Sequence, residues 1–595
     1  MKQFTLAVLL FFSVASFSAE RESAAQKSER LRWWREGRFG MFIHWGPISI
    51  KGTEISWSRG GERRGIEQTG TGQIPVDVYD NLYKQFNPVL FNAEEWVATA
   101  KDAGMRYMVL VAKHCDGFCM WKSKIDSYSM AATPFGRDVC GELARAAHNT
   151  GMKIGWYYSP MDWRDPDCRT ERNDIYVAKM QGHLRELLGT YGTIDLLWFD
   201  SEGGPCPWHQ QETYGLVRAL QPQIIINDRL GIGSGTPFDN DHPDDNADYQ
   251  TPEQRVGAFN KSRPWETCMT LGTQWAWKPG DTIKTAQECI RILVQCVTGD
   301  GNLLLNVGPM PDGRIEPRQV KVLQQIGAWM KKYGESIYAT RGGPFLNGAW
   351  GGSTFKGKSI YLHILQWDDH QLVLPSLPAR IVKSTVLTGQ DGVAVDQTGQ
   401  HLLLRREGQT ADDGDTIVKL DLDVPAGELP VVDVPSKATL EDVHVSLLTQ
   451  PDQPFPGKGG ESLRDGIRGT TDRMDGKWVG FLGGRCEAVL EFAKAKELSS
   501  ITVGALQDQV SRIFYPTAIE VAASGDGQSY KEVASLDNGE TRLDAEIRTH
   551  DFTISFPAVT ARFFRVRILN RGTCPPWHEA AGSKAWVLVD EISVR

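Results

Sequence analysis

The stretch from Asn92 to Phe118, NAEEWVATAKDAGMRYMVLVAKHCDGF, contains one complete unit of the fold. Asn92 can accept hydrogen bonds from the first free N–H groups of a helix, Trp96, Val97 and Ala100 fall on one face, and Gly104 can close the helix. YMVLVAK follows as a run apolar enough for a strand buried on both faces, and it stops at the polar cluster His114, Cys115 and Asp116. The unit recurs: Asp138 opens a second helix with Val139, Leu143 and Ala147 on one face, Gly151 ends it, and KIGWYYSP is the next strand.

FGMFIHWG lies upstream, and IDLLWFD, IIINDR and NLLLNVGP repeat the theme downstream, so from about Phe39 to Ile337 strands alternate with helices. That alternation predicts a parallel sheet. About 300 residues of it suit a closed (β/α)8 barrel better than an open doubly wound sheet. Either architecture places chemistry at the carboxyl ends of the strands, where this chain sets His44, His114, Tyr157, Asp200 and Arg229.

Beyond Ile337 the runs KSIYLHILQW, QLVLPSL and HLLLRRE alternate between turn signals without long helices, which predicts a small β-sandwich. A further β-rich segment begins near Lys437 and is long enough to be a domain of its own. The expected division is 1–19, 28–343, 344–437 and 438–595.

A chain of 595 residues exceeds one hydrophobic core. A net charge of −9, with no long basic run, removes the attraction that nucleic acid or an anionic membrane would need. Residues 1–19 join a basic start at Lys2 to an apolar run ending in small residues, as a secretory signal peptide does; the run is too short to span a membrane. The expected product is exported, secreted or periplasmic, with no membrane span, and a homo-oligomer remains open. The ten cysteines give no disulfide framework.

Asp200 ends the buried strand of IDLLWFDSEG, a costly place for a carboxylate unless partners hold it, which marks it as a nucleophile or metal ligand. Glu253, in DYQTPEQRV, reads by itself as a surface carboxylate and gains meaning only as a partner. Two carboxylates across a cleft lined with Trp, Tyr, His and Arg meet the needs of glycosidic bond cleavage. KHCDGFCMWKS leaves three readings open: a zinc site completed by Cys206 and His209, a Cys115–Cys119 disulfide, or a segment that contacts substrate.

FGMFIHWG, KHCDGF, GWYYSPMDW, LLWFDSEG, NDR, TPEQ, PWETCMTLG, GNLLLNVGP and GAWMKKYGESIYATR together resemble, in order and over about Arg30 to Gly343, the α-L-fucosidases of glycoside hydrolase family 29. The resemblance implies a (β/α)8-like barrel followed by a β-sandwich, exo-acting hydrolysis of terminal α-L-fucose with retention through a covalent glycosyl-enzyme, fucosylated glycans as substrates, and no cofactor for catalysis. Carried over, Asp200 is the nucleophile and Glu253 the acid/base, with Glu266 of PWETC as the fallback. His44, His114, Tyr157, Trp198 and Arg229 match positions around the sugar, and Glu54 or Trp57 supplies a further hydroxyl contact. Cys115 stands where the family usually has a second histidine; a thiol is the weaker hydrogen-bonding group, so the preference for fucose over L-galactose is in question. An α-L-galactosidase using the same site and a non-catalytic glycan-binding protein are the alternatives.

The segment from Ala438 to Arg595, through LRDGIRGTTD, WVGFLGG, YPTAIEVAASGDGQSYKEV, ARFFRVRILN and AWVLVDEISV, resembles discoidin-type carbohydrate-binding modules with a jelly-roll β-sandwich. That resemblance implies a structural calcium near Asp465 and Glu591.

Overall fold

The computed structural model describes residues 22–62, 72–200, 208–230, 247–257, 259–348, 350–367, 370–388, 392–399, 401–408, 414–434, 443–539, 547–578 and 580–594. The expected signal peptide and Cys206 lie outside them.

Strands β1 (Phe39–Ile43), β2 (Tyr107–Lys113), β3 (Lys153–Tyr158), β4 (Leu196–Phe199), β5 (Ile225–Ile226), β6 (Glu266–Thr270) and β7 (Asn302–Val307) form one parallel sheet, in the order β5-β4-β3-β2-β1-β7-β6. The two ends of that order are not far apart. Parallel bridges pair Asn227 with Tyr249, Gln250 with Trp265 and Glu253 with Cys268, so the segment 249–253 runs between β5 and β6 and brings the curled sheet back on itself.

The local signals act as the sequence leads one to expect. Asn92 accepts from the N–H groups of Glu94 and Glu95 and opens helix Ala93–Asp102, Asp138 caps Val139–Thr150, and Gly151 leaves that helix at φ 68. Apolar burial then comes in two layers. Met108, Leu110 and Ala112 of β2 face the helices, while Val109 and Val111 join Phe42, Trp198 and Leu304 inside the curl of the sheet. Helix Ala24–Gly37 covers the amino ends of the strands: Trp34 is buried there, and Arg30 makes a two-pronged ion pair with Asp248, both bonds 2.8 Å. Gly40 is required by a close approach, because a Cβ there would lie 2.4 Å from the Tyr107 ring.

The rest of the chain is mostly antiparallel. A five-stranded sheet (341–342, 351–356, 359–364, 416–422, 381–386) and a three-stranded one (371–375, 401–407, 392–397) share a core that includes Leu362, Leu374, Leu404 and Leu420. Residues 443–594 form another antiparallel sheet around two 22-residue strands, Cys486–Gln507 and Arg548–Leu569, paired along their length. Register shifts between Glu491 and Lys496 and between Leu498 and Ser500 are the bulges that let strands of this length bend around a core of Leu490, Val503, Phe564 and Val589.

Candidate active site

In-register pairing of parallel strands sets one residue from each strand end side by side. Tyr157 of β3 pairs with Trp198 of β4, and their rings stack at 5.4 Å and 19°. His114, one residue past β2, stacks on the other neighbour in this row, Tyr157, at 5.4 Å and 4°. The Arg229 guanidinium, beyond β5, lies 4.5 Å over the Trp198 ring. His44, after β1, completes the wall at 5.6 Å from Tyr157 and 4.7 Å from Trp275.

Two carboxylates meet at this wall. Asp200, one residue past β4, accepts from the Tyr157 hydroxyl at 2.7 Å and from Arg229 Nη1 at 2.9 Å. The same Nη1 donates to Glu253 at 2.8 Å. Arg229 is itself fixed, donating through Nε to Thr251 Oγ1 at 2.8 Å and through Nη2 to the Thr251 carbonyl at 2.9 Å. Burial pulls its pKa down, but the charges of Glu253 and Asp200 outweigh this and hold it well above the usual range. Burial and then the Asp200 charge keep the Tyr157 phenol protonated. The Asp200 side chain is 16% exposed and that of Glu253 38%, so Glu253 is the one with the open side.

The histidines are neutral. Burial lowers His44 to about 3, with the nearby His114 adding to it, and burial lowers His114 to about 3. His44 Nδ1 donates to the Asn306 side-chain oxygen at 2.7 Å, which leaves Nε2 as an acceptor. His114 Nδ1 is 2.6 Å from Ser56 Oγ, and Ser56 Oγ also accepts the Asp116 N–H at 3.0 Å. Glu54 accepts from the backbone N–H groups of Ile55, Trp275 and Ala276, and burial followed by the Glu253 charge moves its pKa upward. Trp57 is half-buried, edge-on to Trp163 at 5.3 Å.

Glu266, the fallback, is placed elsewhere. It begins β6 at the amino end of the sheet, fully buried, accepting from Trp34 Nε1 at 3.0 Å and from the Tyr107 hydroxyl. Burial raises its pKa to about 7. With no exposed surface it cannot reach a leaving oxygen, and that reading is withdrawn. Cys115, expected to be a spectator or at most a weak contact, is 1% exposed, with its thiol 3.2 Å from Ser159 Oγ.

The disulfide reading of KHCDGFCMWKS is not met, and the zinc reading drew on Cys206, which lies outside the described residues. No disulfide joins Cys115 to Cys119, or any two of the nine cysteines among the described residues. Cys119 does approach Asp126 and His183, but Asp126 is already neutralised by Lys179 at 2.6 Å, and His209 pairs with Asp174 on the surface. The rest of the stretch is architectural: Lys113 ties β2 to the carbonyls of Ser159 and Met161, and Asp116 accepts from Tyr79 at 2.7 Å.

Ser56, Thr251 and Asn306 are the residues that sequence reasoning missed. Asn306 had a signal, a lone polar residue near the end of the apolar run NLLLNV; the others become visible only when loops meet.

An aromatic wall carrying neutral histidines and one arginine, with two carboxylates at the carboxyl ends of a curled parallel sheet, is equipment that a glycoside hydrolase needs. The Alpha-L-fucosidase family model matches residues 11–335, more than half of the chain, and the chain belongs to that family. It is 29% identical over 381 residues to the human plasma α-L-fucosidase, covering 59% of this chain and 80% of the human one. The structure of α-L-fucosidase isoenzyme 1 from Paenibacillus thiaminolyticus superposes with a TM-score of 0.60 at 34% identity, over 67% of this chain and 99% of that one. A family 29 α-L-fucosidase from Bacteroides thetaiotaomicron, trapped as a covalent intermediate with 2-fluoro-fucosyl fluoride, gives 0.58 at 28% identity, over 67% and 96%. The Vibrio sp. strain EJY3 α-L-fucosidase, at 21% identity and a TM-score of 0.64, shares the fold over 94% of this chain and 97% of its own.

Proposed function

We propose that this chain is an exo-acting, retaining α-L-fucosidase that removes terminal α-L-fucose from glycans. The carrying observation is the meeting of Asp200 and Glu253 on one nitrogen of Arg229, at the ends of strands in what we read as a (β/α)8-like barrel. Two oxygens held at 2.9 and 2.8 Å from one atom are closer than the ~6.5–9.5 Å between carboxyl groups that lets an inverting pair admit a water. In the first step Asp200 attacks the anomeric carbon while Glu253 protonates the departing oxygen; in the second, Glu253 takes a proton from water, which attacks the same carbon and releases Asp200. Ester formation cancels the Asp200 charge, leaving Arg229 to balance the Glu253 carboxylate that the second step uses. The neutral His44 and His114, with Glu54 and the Trp57 rim, would hold the sugar hydroxyls. The relative trapped with a fucosyl fluoride supports the covalent route.

The reading extends to the remaining chain: export through residues 1–19, a barrel over 28–343, a β-sandwich over 344–437, and a discoidin-type carbohydrate-binding module over 438–595. Among the described residues no helix is long and apolar enough to cross a membrane. We also place a calcium ion at Glu591 and Asp465 in this reading, although Asp465 already pairs with Lys458 at 3.4 Å. Among the described residues Glu591 Oε1 is buried without a hydrogen-bond partner, its other oxygen accepts from Gly466 N–H at 2.8 Å, and burial, with the neighbouring Asp590 and Asp465 charges, raises it to about 9. The Arg468 charge offsets this only in part, and a hard cation would add to it. The testing experiment is hydrolysis of aryl α-L-fucoside and aryl α-L-galactoside side by side, with the product anomer read by NMR. Faster turnover of the galactoside overturns the substrate, an inverted first product the mechanism, and turnover of neither the enzyme reading.

A further inference from the structure

Glu253 and Arg255 flank a strained residue. Gln254 sits in the left-handed region at φ 53, where a side chain is unfavourable unless the surroundings impose it. Those surroundings are visible on one side: Gln254 N–H donates to the Cys268 carbonyl at 3.0 Å, Cys268 N–H donates to the Pro252 carbonyl at 3.0 Å, and the Thr267 hydroxyl donates to the Arg255 carbonyl at 2.9 Å. The segment is thus fastened to β6. On the other side, Arg255 extends away from the sheet to a residue 217 positions further on, Asp472, with Nη1 2.6 Å from Oδ1. Both residues are 8% exposed, so the pair is shielded from the solvent screening that makes surface ion pairs weak.

Asp472 is held as firmly as the strand it meets. Its Oδ1 accepts the Met474 N–H at 3.0 Å, its own N–H donates to Thr470 Oγ1 at 3.1 Å, and Thr470 N–H donates to Asp475. The Thr470 carbonyl accepts from Trp478 Nε1 at 3.1 Å, and Trp478 is buried in the core of the 443–594 sheet. A second pair, Arg473 with Asp508 at 3.0 Å, braces the same loop. A chain of hydrogen bonds, joined across by the Arg255–Asp472 ion pair, therefore runs from the core of the C-terminal sheet to the turn that carries Glu253.

We infer that Asp472 is a positioning residue for the catalytic reaction: the C-terminal sheet, through the Asp472–Arg255 ion pair, holds the Glu253–Gln254–Arg255 turn and aims the Glu253 carboxyl. Neither Asp472 nor Arg255 touches substrate. The inference rests on the reading of Glu253 as acid/base, and its signature is selective. A Glu253 that wanders would lose most where protonation of the leaving oxygen limits the rate, and little where the leaving group departs unaided.

The test uses the full chain and four variants, Asp472→Asn, Asp472→Glu, Arg255→Lys and Glu253→Ala, with kcat and kcat/KM measured over aryl fucosides of graded leaving-group pKa and across pH. Asp472→Asn is expected to lower kcat on the poorest leaving group about tenfold or more and on the most activated one less than twofold, with the basic limb of the pH profile displaced. Asp472→Glu, which keeps the charge, should restore most of the loss, and Arg255→Lys, which keeps the charge but not the fork, should fall between. Equal losses on all substrates, or none in a variant with wild-type circular dichroism, overturn the coupling while a steep leaving-group dependence in Glu253→Ala leaves the acid/base reading intact. A flat dependence in Glu253→Ala overturns that reading and the inference with it. If Asp472→Asn does not fold, the Arg255→Lys profile decides by the same criteria.

Discussion

Asp200 and Glu253 hydrogen-bond to a single nitrogen, Nη1 of Arg229, so the two carboxylates are set against each other by one rigid guanidinium. Asp200→Asn keeps the side-chain shape and an oxygen for Tyr157 while removing the attacking charge. On the proposed mechanism kcat on an aryl fucoside falls by about 10³-fold or more, with folding retained because Arg229 still pairs with Glu253. Turnover within tenfold of the parent would rule Asp200 out as the nucleophile.

Glu253→Ala separates the two steps. Substrates with poor leaving groups should slow by about 10²- to 10³-fold, while highly activated aryl fucosides keep most of their first-step rate. Azide needs no general base, so it should speed the second step of this variant and give a fucosyl azide of retained anomeric configuration. An inverted azide, or uniform loss on every substrate, contradicts the assignment.

Glu266 calls for a different measurement, because its effect is on folding. Its folded pKa of about 7 lies above the ordinary value of 4.5, so the folded chain binds this proton more tightly than the unfolded one. The stabilisation is complete below about pH 4.5 and is lost as pH rises toward 7, by about 3 kcal/mol in all. Glu266→Gln cannot titrate and should remove that slope from denaturant-unfolding free energies between pH 5 and 8, leaving the leaving-group dependence of kcat as in the parent. An unchanged slope would mean that the carboxyl finds a way to ionise in the fold.

For the histidines the sign is opposite. His44 and His114 titrate near 3 in the fold against 6.5 when free, so the unfolded chain binds the extra protons. Stability is complete above pH 6.5 and falls as pH drops, by about 2 kcal/mol for each residue at pH 5. His114→Gln should therefore reduce the acid sensitivity of unfolding. It also removes an imidazole from the sugar wall, and kcat/KM should fall far more than for Cys115→Ala, whose thiol faces Ser159 and costs at most about 1 kcal/mol. Equal losses in the two variants would place the thiol at the sugar after all.

The parts of this site that could be read in the sequence are those where backbone periodicity does the placing. A buried apolar run must end, and the strand ends it leaves drew attention to Asp200 and to the His, Arg and aromatic residues beside it; the assignment of His44, His114, Tyr157, Trp198 and Arg229 to the sugar came from the family resemblance. Residues 249–253 gave no such signal: YQTPE is mostly polar, and its role between β5 and β6 comes from three bridges that no pattern announces. Glu266 misled for a related reason. It begins a strand rather than ending one, and only the register of β6 against β7, Glu266 opposite Asn302, assigns it to the closed end of the sheet. The Arg255–Asp472 pair spans two separately folded stretches, and side-chain meetings of that kind leave no trace in local composition.

The last prediction concerns Glu591 and the ion its surroundings invite. With Asp590 and Asp465 nearby and Oε1 buried and unpartnered, the carboxyl keeps its proton to about pH 9, and a divalent cation would have to displace that proton to bind. Calcium affinity should then rise by up to tenfold per pH unit below 9. The measurement is the thermal midpoint of the full chain with millimolar calcium or with chelator, at pH 6 and pH 8. Calcium is expected to raise the midpoint more at pH 8, and Glu591→Gln, which lacks the negative oxygen, should abolish the difference. Aryl fucoside hydrolysis should be indifferent to the chelator, since the proposed chemistry draws on Asp200 and Glu253 alone. A midpoint unmoved by calcium at either pH would remove the ion from Glu591 and Asp465; activity lost with chelator and restored by zinc would return a metal to the stretch around His114.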